Sequence, residues 1–326
     1  MAFEPKTISN IVVNFGKFDA SLARGYAFNL DLTLTLKVCL QAKTGGKRIV
    51  KDYDNVEFEA DNWPAGEWKT FCETYQSEGE KFWDNSFWLW HIDPNWEGLD
   101  YEYIHSFSSS FATGAPIWTP PWVHVPTFED SGVAYRVNVK NCNVRPAINC
   151  RFKLELVSKP ELAHTSIDVV YVTKKKSDGS AVTTNMDFRS DAGLYDSGDL
   201  KPKTLDVTTD AGDKVTVTHK THLHEIGHSL GLQHSGVSAV EDACKASGDN
   251  NSLKCYGVTK ETIGNIMGWG TELSNREALP WQMAIARLTG TNTGVWLVRR
   301  SFQAAKIDVR SSINYDYAFA GRGRCW

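Results

Sequence analysis

Residues 221–235 read Thr-His-Leu-His-Glu-Ile-Gly-His-Ser-Leu-Gly-Leu-Gln-His-Ser, and the spacing of three histidines in that run constrains the fold more than any other feature. His224 and His228 are four apart, so on a helix they lie one turn apart on one face. Leu223, Ile226 and Leu230 then fall on the opposite side, where they would anchor the helix in a core. Gly231 predicts a sharp exit, because glycine accepts positive φ at little cost. That exit can bring His234 round to join the other two imidazoles. A chain of 326 residues, 41% of them hydrophobic, can bury such a helix.

Three imidazoles meeting at one point are a zinc ligand set. His224, His228 and His234 leave the fourth tetrahedral position open, which is the arrangement of a catalytic rather than a structural ion. Glu225 follows the first ligand and is not needed as a ligand itself. It can accept the proton of a water that attacks a carbonyl. With nine histidines in the chain, chance would match all five fixed positions of H-E-x-x-H-x-x-G-x-x-H on the order of 10⁻⁵ times per chain, a composition estimate. Incidental histidines on a helix are therefore a remote explanation. His219 and His222 lie just upstream. His222 is two residues before His224 and should face away from the metal, so both read as ordinary histidines.

His224 to His234 resembles the extended zinc signature of the metzincins, and its wording is closest to matrixins and serralysins. Asn265-Ile266-Met267-Gly268-Trp269 is similar to the methionine turn of that family. The resemblance implies that Met267 packs under the three imidazoles without binding the metal. It also implies a helix after the turn, which Pro280 to Leu288 fits, with Trp281, Ile285 and Leu288 on one face and Gly290 as a stop. Astacins and serralysins carry a tyrosine two places after the methionine, within reach of the zinc. Here that position is Trp269, which has no oxygen to offer. No cysteine-switch propeptide of the matrixin kind is visible. The implied fold is an α+β metzincin-like domain with a mixed twisted sheet. Residues 1–234 would form an enlarged N-terminal subdomain carrying the zinc helix. Residues 235–326 would form a smaller C-terminal subdomain with the methionine turn and its helix.

The rest of the chain fits that order of elements. Leu32 to Leu40 alternates as a half-buried strand. Trp63 to Trp83 has helical character, with Trp68, Phe71, Cys72, Tyr75 and Phe82 on roughly one face. Further strands are expected at Ala134 to Val139, Cys150 to Val157 and Ser166 to Thr173. Eight of the twelve tryptophans fall between Trp63 and Trp122. The part holding Trp88, Trp90, Trp96, Trp118 and Trp122 is punctuated by prolines at 116, 120, 121 and 126, which predicts an extended loop. Those tryptophans read as packed aromatic core, with a sugar-stacking platform as the alternative. Lys174 to Lys214 is polar and reads as a solvated loop. Asp187, Asp191, Asp196 and Asp199 within it could hold a calcium ion, but their spacing fits no defined calcium loop.

Seven cysteines are too few for a disulfide scaffold and odd in number. Cys244 with Cys255 and Cys142 with Cys150 are close enough in sequence to close short loops in an oxidising compartment. Net charge is −4, and the lysines at 174, 175 and 176 make only a short cluster, so nucleic acid is not expected as a partner. No apolar run reaches the roughly 18 residues a membrane helix needs. No signal peptide is visible: the signal has been removed, the protein leaves the cell by a route that needs none, or it stays inside, and export by such a route, as for a secreted effector, is the expectation.

The function expected is zinc-dependent endopeptidase activity on protein or peptide substrates. Two alternatives stay open: an amidase cutting cell-wall peptides, and a glycan-binding protein that the zinc only stabilises. The sequence leaves the oligomeric state undetermined.

Overall fold

A computed structural model describes residues 4–25, 30–93, 102–106, 134–138, 148–175 and 189–300. The first half is mostly strand: β1 (Lys6–Val13), β2 (Gly16–Arg24), β3 (Leu30–Ala42), β4 (Arg48–Lys51) and β5 (Glu57–Asp61). Helix α1 (Glu67–Trp83) follows, then β6 (Phe87–His91), β7 (Glu102–Ser106), β8 (Ala134–Asn138), β9 (Ile148–Leu156), β10 (Thr165–Lys175) and β11 (Leu194–Asp196). The hairpin β12 (Lys203–Thr208) and β13 (Lys214–His219) leads into α2 (Thr221–Ser229). The remaining elements are the short helices α3 (Ser235–Ser238), α4 (Asp242–Ser247) and α5 (Lys260–Gly264), then α6 (Leu279–Thr289) and β14 (Trp296–Arg300).

Among the described residues ten strands join one sheet, whose main path runs β14-β6-β9-β3-β10-β5-β4, with the β1–β2 hairpin on β3 and β11 on β10. The sheet is mixed: β9 and β10 flank β3 in parallel, while β2 meets it antiparallel. The chain is thus α+β. β3 shows why it sits at the centre. Leu30, Leu32, Leu34, Leu36 and Val38 alternate with half-buried polar residues and are fully buried, so one face of the strand is core and the other is not.

The core lies between that face and the helices. α1 begins at Glu67, so Trp63 precedes it, and its buried stripe is Phe71, Tyr75, Gly79 and Trp83 rather than the Trp68 and Phe82 side. The helix is fastened to β9 by Gln76 Nε2 donating to the Leu154 carbonyl at 2.7 Å and by Leu154 N–H donating to Glu80 at 3.0 Å. Two short apolar elements from the end of the chain return to the same core. Trp281 of α6 is fully buried and donates from Nε1 to the Arg151 carbonyl at 2.9 Å, and β14 pairs antiparallel with β6.

Two expectations need correction. Trp88 and Trp90 are not in a loop; they sit in β6, half-buried, on the face opposite Phe87 and Leu89. Trp96, Trp118, Trp122 and the four prolines lie outside the described residues. The segment up to Lys214 is not wholly a solvated loop either. It contains β11 and β12, and Asp196 and Asp199 are buried. No helix among the described residues is long and apolar enough to cross a membrane.

Candidate metal centre

Helix α2 is buried almost all round: Leu223, Ile226 and Leu230 join the main core, and His224 and Glu225 are also buried. Its end is a Schellman motif. Leu232 N–H donates back to the Gly227 carbonyl at 3.0 Å and Gly231 N–H to the His228 carbonyl at 2.8 Å. Gly231 has φ +89°, and a Cβ there would run into the Val13 carbonyl oxygen. The turn between β1 and β2 presses on the same spot, and Asn14 Nδ2 donates to the Gly231 carbonyl at 2.7 Å. The first hairpin of the chain thus fixes how the chain leaves the helix, and so where His234 goes.

The outcome is a tight cluster. Among the described residues His224, His228 and His234 form the one His/Cys/Asp/Glu group close enough to hold a metal ion, with their ligand atoms all within 4.8 Å. Each ring turns Nδ1 to a backbone carbonyl: His224 to Ile266 at 2.7 Å, His228 to Leu232 at 2.8 Å and His234 to Asn250 at 2.9 Å. A carbonyl can only accept, so each Nδ1 carries the proton and each Nε2 carries the lone pair. The Nε2 atoms of His228 and His234 face each other at 3.2 Å, and the buried Nε2 of His224 has no hydrogen-bond partner. Two lone pairs held that close repel unless a cation lies between them. The donor set therefore fits a metal, bound through Nε2.

Burial also keeps the imidazoles neutral, as ligands must be. It holds His224 well below the usual histidine range, helped by His228, His219 and His234, and it takes His228 down to about 4 with His234 adding. Burial pushes the Glu225 carboxyl well above its usual range, with Asp199 and Asp191 adding. A carboxylate so destabilised in its charged form is a stronger proton acceptor than a solvated one.

The turn Asn265-Ile266-Met267-Gly268-Trp269 forms the far wall. Met267 is buried, and its sulfur fills the space that a Cβ at Gly227 would need, so the turn packs on α2 itself. Asn265 organises the turn by accepting from Met267 N–H at 2.8 Å and from Ser235 Oγ at 2.9 Å while donating to Glu277 at 3.0 Å. The Met267 carbonyl takes Ser235 N–H at 2.9 Å, which ties the turn to the residue after His234. In α6, Trp281 and Ile285 are buried and Leu288 is half-buried, and Gly290 ends the helix in a left-handed conformation.

Several neighbours carry no periodic signal in the sequence. The Tyr256 ring lies 4.0 Å from that of His234 and stacks on Trp269 at 4.4 Å. Burial, with Glu225 adding, pushes its phenol up to about 12. The Arg189 guanidinium lies beside the Tyr256 hydroxyl and is held by both oxygens of Asp54, at 2.8 and 3.1 Å. Cys244 and Cys255 form a disulfide that encloses Asn250. Cys150 is a buried free thiol, so it does not pair with Cys142.

The remaining candidates fall away from the triad. His222 points to the other side of α2, with Nδ1 3.2 Å from the Asp199 carbonyl and Nε2 3.3 Å from Glu78. His219 is buried, its ring centroid 5.4 Å from that of His224. The aspartates do not converge on a point. Asp191 takes the N–H of Gly193 at 2.7 Å, Asp199 takes the N–H of Asp196 at 2.8 Å and also Ser190 Oγ, and Asp196 takes the N–H of Gly198. Asp187 lies outside the described residues.

Comparison of the chain with family models, curated proteins and solved structures finds no match.

Proposed function

We propose that the chain is a zinc-dependent endopeptidase of the metzincin type, formed as one catalytic unit with the zinc helix at the end of residues 1–234 and the methionine turn in residues 235–326. The observation that carries this reading is the convergence of three Nε2 lone pairs beside a buried glutamate. Support comes too from the Schellman exit at Gly231 and from Met267 packed on Gly227.

A zinc ion held by His224, His228 and His234 supplies a Lewis acid for the scissile carbonyl and lowers the pKa of water. The protein's own groups do the rest. The three backbone carbonyls orient the rings and fix their tautomers. Glu225 takes the proton of the attacking water and returns it to the departing amine nitrogen, so it ends the cycle as it began. The Cys244–Cys255 disulfide supports export to an oxidising compartment.

Metal analysis of purified protein, combined with unbiased peptide-cleavage profiling and a casein digest, tests the proposal. One zinc per chain and chelator-sensitive internal cleavage are expected. Full activity in a chelator-stripped sample overturns it. Cleavage of cell-wall peptides in preference to casein would favour the amidase instead.

A further inference from the structure

We infer that Tyr256 is a catalytic hydrogen-bond donor of this site, its hydroxyl placed to hold the oxygen of the scissile carbonyl as negative charge grows on it. The inference rests on the endopeptidase reading. Tyr256 ends the short turn Leu253–Tyr256, directly after the disulfide-bonded Cys255. Its ring is parallel to that of His224, at 5.5 Å and 5°, and lies 4.0 Å from that of His234. Trp269 stacks on it at 4.4 Å. A phenol packed against two of the three ligand rings and backed by an indole has little freedom to swing away.

The hydroxyl end is equally constrained. It lies beside the Arg189 guanidinium and within the electrostatic reach of Glu225. Arg189 in turn is anchored three ways. Asp54 takes its guanidinium, the Tyr53 ring lies 4.8 Å from its Cζ, and its N–H donates to Asp52 at 3.1 Å. A guanidinium can only donate, so Arg189 does not compete for the phenol proton, which is free to be given elsewhere.

The phenol keeps its proton throughout; it contributes one hydrogen bond, stronger to the developing oxyanion than to the neutral carbonyl. This also gives a use to the indole at position 269. Trp269 has no oxygen to offer, but it is the surface against which Tyr256 is held.

Steady-state kinetics of Tyr256→Phe on a peptide the wild type cleaves will test the inference. Loss of one such donor costs about 10² to 10³ in kcat, and that fall is expected with KM, zinc stoichiometry and melting temperature nearly unchanged. Affinity for a phosphinic peptide, whose tetrahedral anion imitates the intermediate, should fall in parallel, while affinity for the cleaved product should not. Arg189→Gln, which leaves the ring in place, should lower kcat in the same direction. Wild-type kcat in Tyr256→Phe, or loss of zinc from it, overturns the inference and leaves the endopeptidase reading standing. A wild-type protein without metal-dependent cleavage overturns both.

Discussion

His224 Nδ1 donates to the carbonyl oxygen of Ile266 at 2.7 Å, across 42 residues of sequence. The acceptor is the residue immediately before Met267, so one turn both orients the first ligand ring and packs its methionine against the helix that carries that ring. Met267→Ala should therefore do more than open a cavity. Truncation of a buried methionine costs roughly 2 to 5 kcal/mol, and weaker zinc binding should accompany it. Urea unfolding and a chelator competition would show both; an unchanged midpoint would mean the turn contributes no packing.

Glu225→Gln keeps the volume and removes the proposed base. Zinc should stay bound and the fold intact, while turnover drops by about 10² to 10⁴, the usual share of general acid–base catalysis. A variant retaining a third of wild-type kcat would show that another group takes the proton.

Removing the disulfide should reach the metal through the main chain. Cys244 and Cys255 enclose Asn250, whose carbonyl takes the Nδ1 proton of His234 at 2.9 Å. Loss of such an outer partner commonly weakens metal binding about 10- to 100-fold. The paired substitution Cys244→Ser and Cys255→Ser should raise the zinc Kd accordingly. Equal Kd values in a dye competition would show that the loop holds its shape unaided.

Asp199 gives a pH dependence with a definite sign. Burial lifts its carboxyl from 3.8 to about 6. A group with a raised folded pKa binds its proton more tightly when native, so its contribution is most favourable below the ordinary value and declines as pH rises from about 4 to about 6. Buried histidines such as His219 act with the opposite sign, because burial depresses their values. The comparison must therefore be with Asp199→Asn in metal-free protein. Between pH 4 and pH 7 the variant should gain on wild type by up to about 3 kcal/mol. If wild type gains instead, the Asp199 carboxylate is not the buried charge that opposes folding as pH rises.

A fragment of residues 161–326 should not fold. It would keep α2 but lose β9, whose Arg151 carbonyl receives Trp281, and β6, on which β14 pairs. It would also lose Asn14, which steadies Gly231. Expression of the fragment should give insoluble or molten material without zinc-dependent cleavage; a cooperative melt would make the first half a separate domain.

The parts legible in the sequence were those whose signal is local. The four-residue step from His224 to His228, the glycine at 231 and the alternation of β3 each follow from the geometry of one element, and the structure has all three. Elements that depend on distant partners were not legible. Nothing near Asn14 or Gly16 announces a contact with Gly231. Tyr256 sits in a short 3-10 turn and Arg189 outside any regular element, so neither carries a periodic signal. Asp196 and Asp199 look like solvated loop residues until Ser190 and the backbone close over them. The buried stripe of α1 runs through Phe71, Tyr75, Gly79 and Trp83, and the partly buried aromatics Trp68 and Phe82 beside it blur that stripe in the sequence.

The three acceptors behind the ligand rings are the main-chain oxygens of Ile266, Leu232 and Asn250. No side-chain replacement can delete a main-chain oxygen. In a saturation scan, positions 224, 228 and 234 should tolerate nothing, while exposed Asn250 should accept most residue types. One-residue insertions and deletions in the surrounding loop should be as damaging as losing a ligand. Tuning of the metal site by substitution is confined to what bends the chain, and an evolving or engineered variant would have to change affinity through loop length and turn type rather than through new polar neighbours.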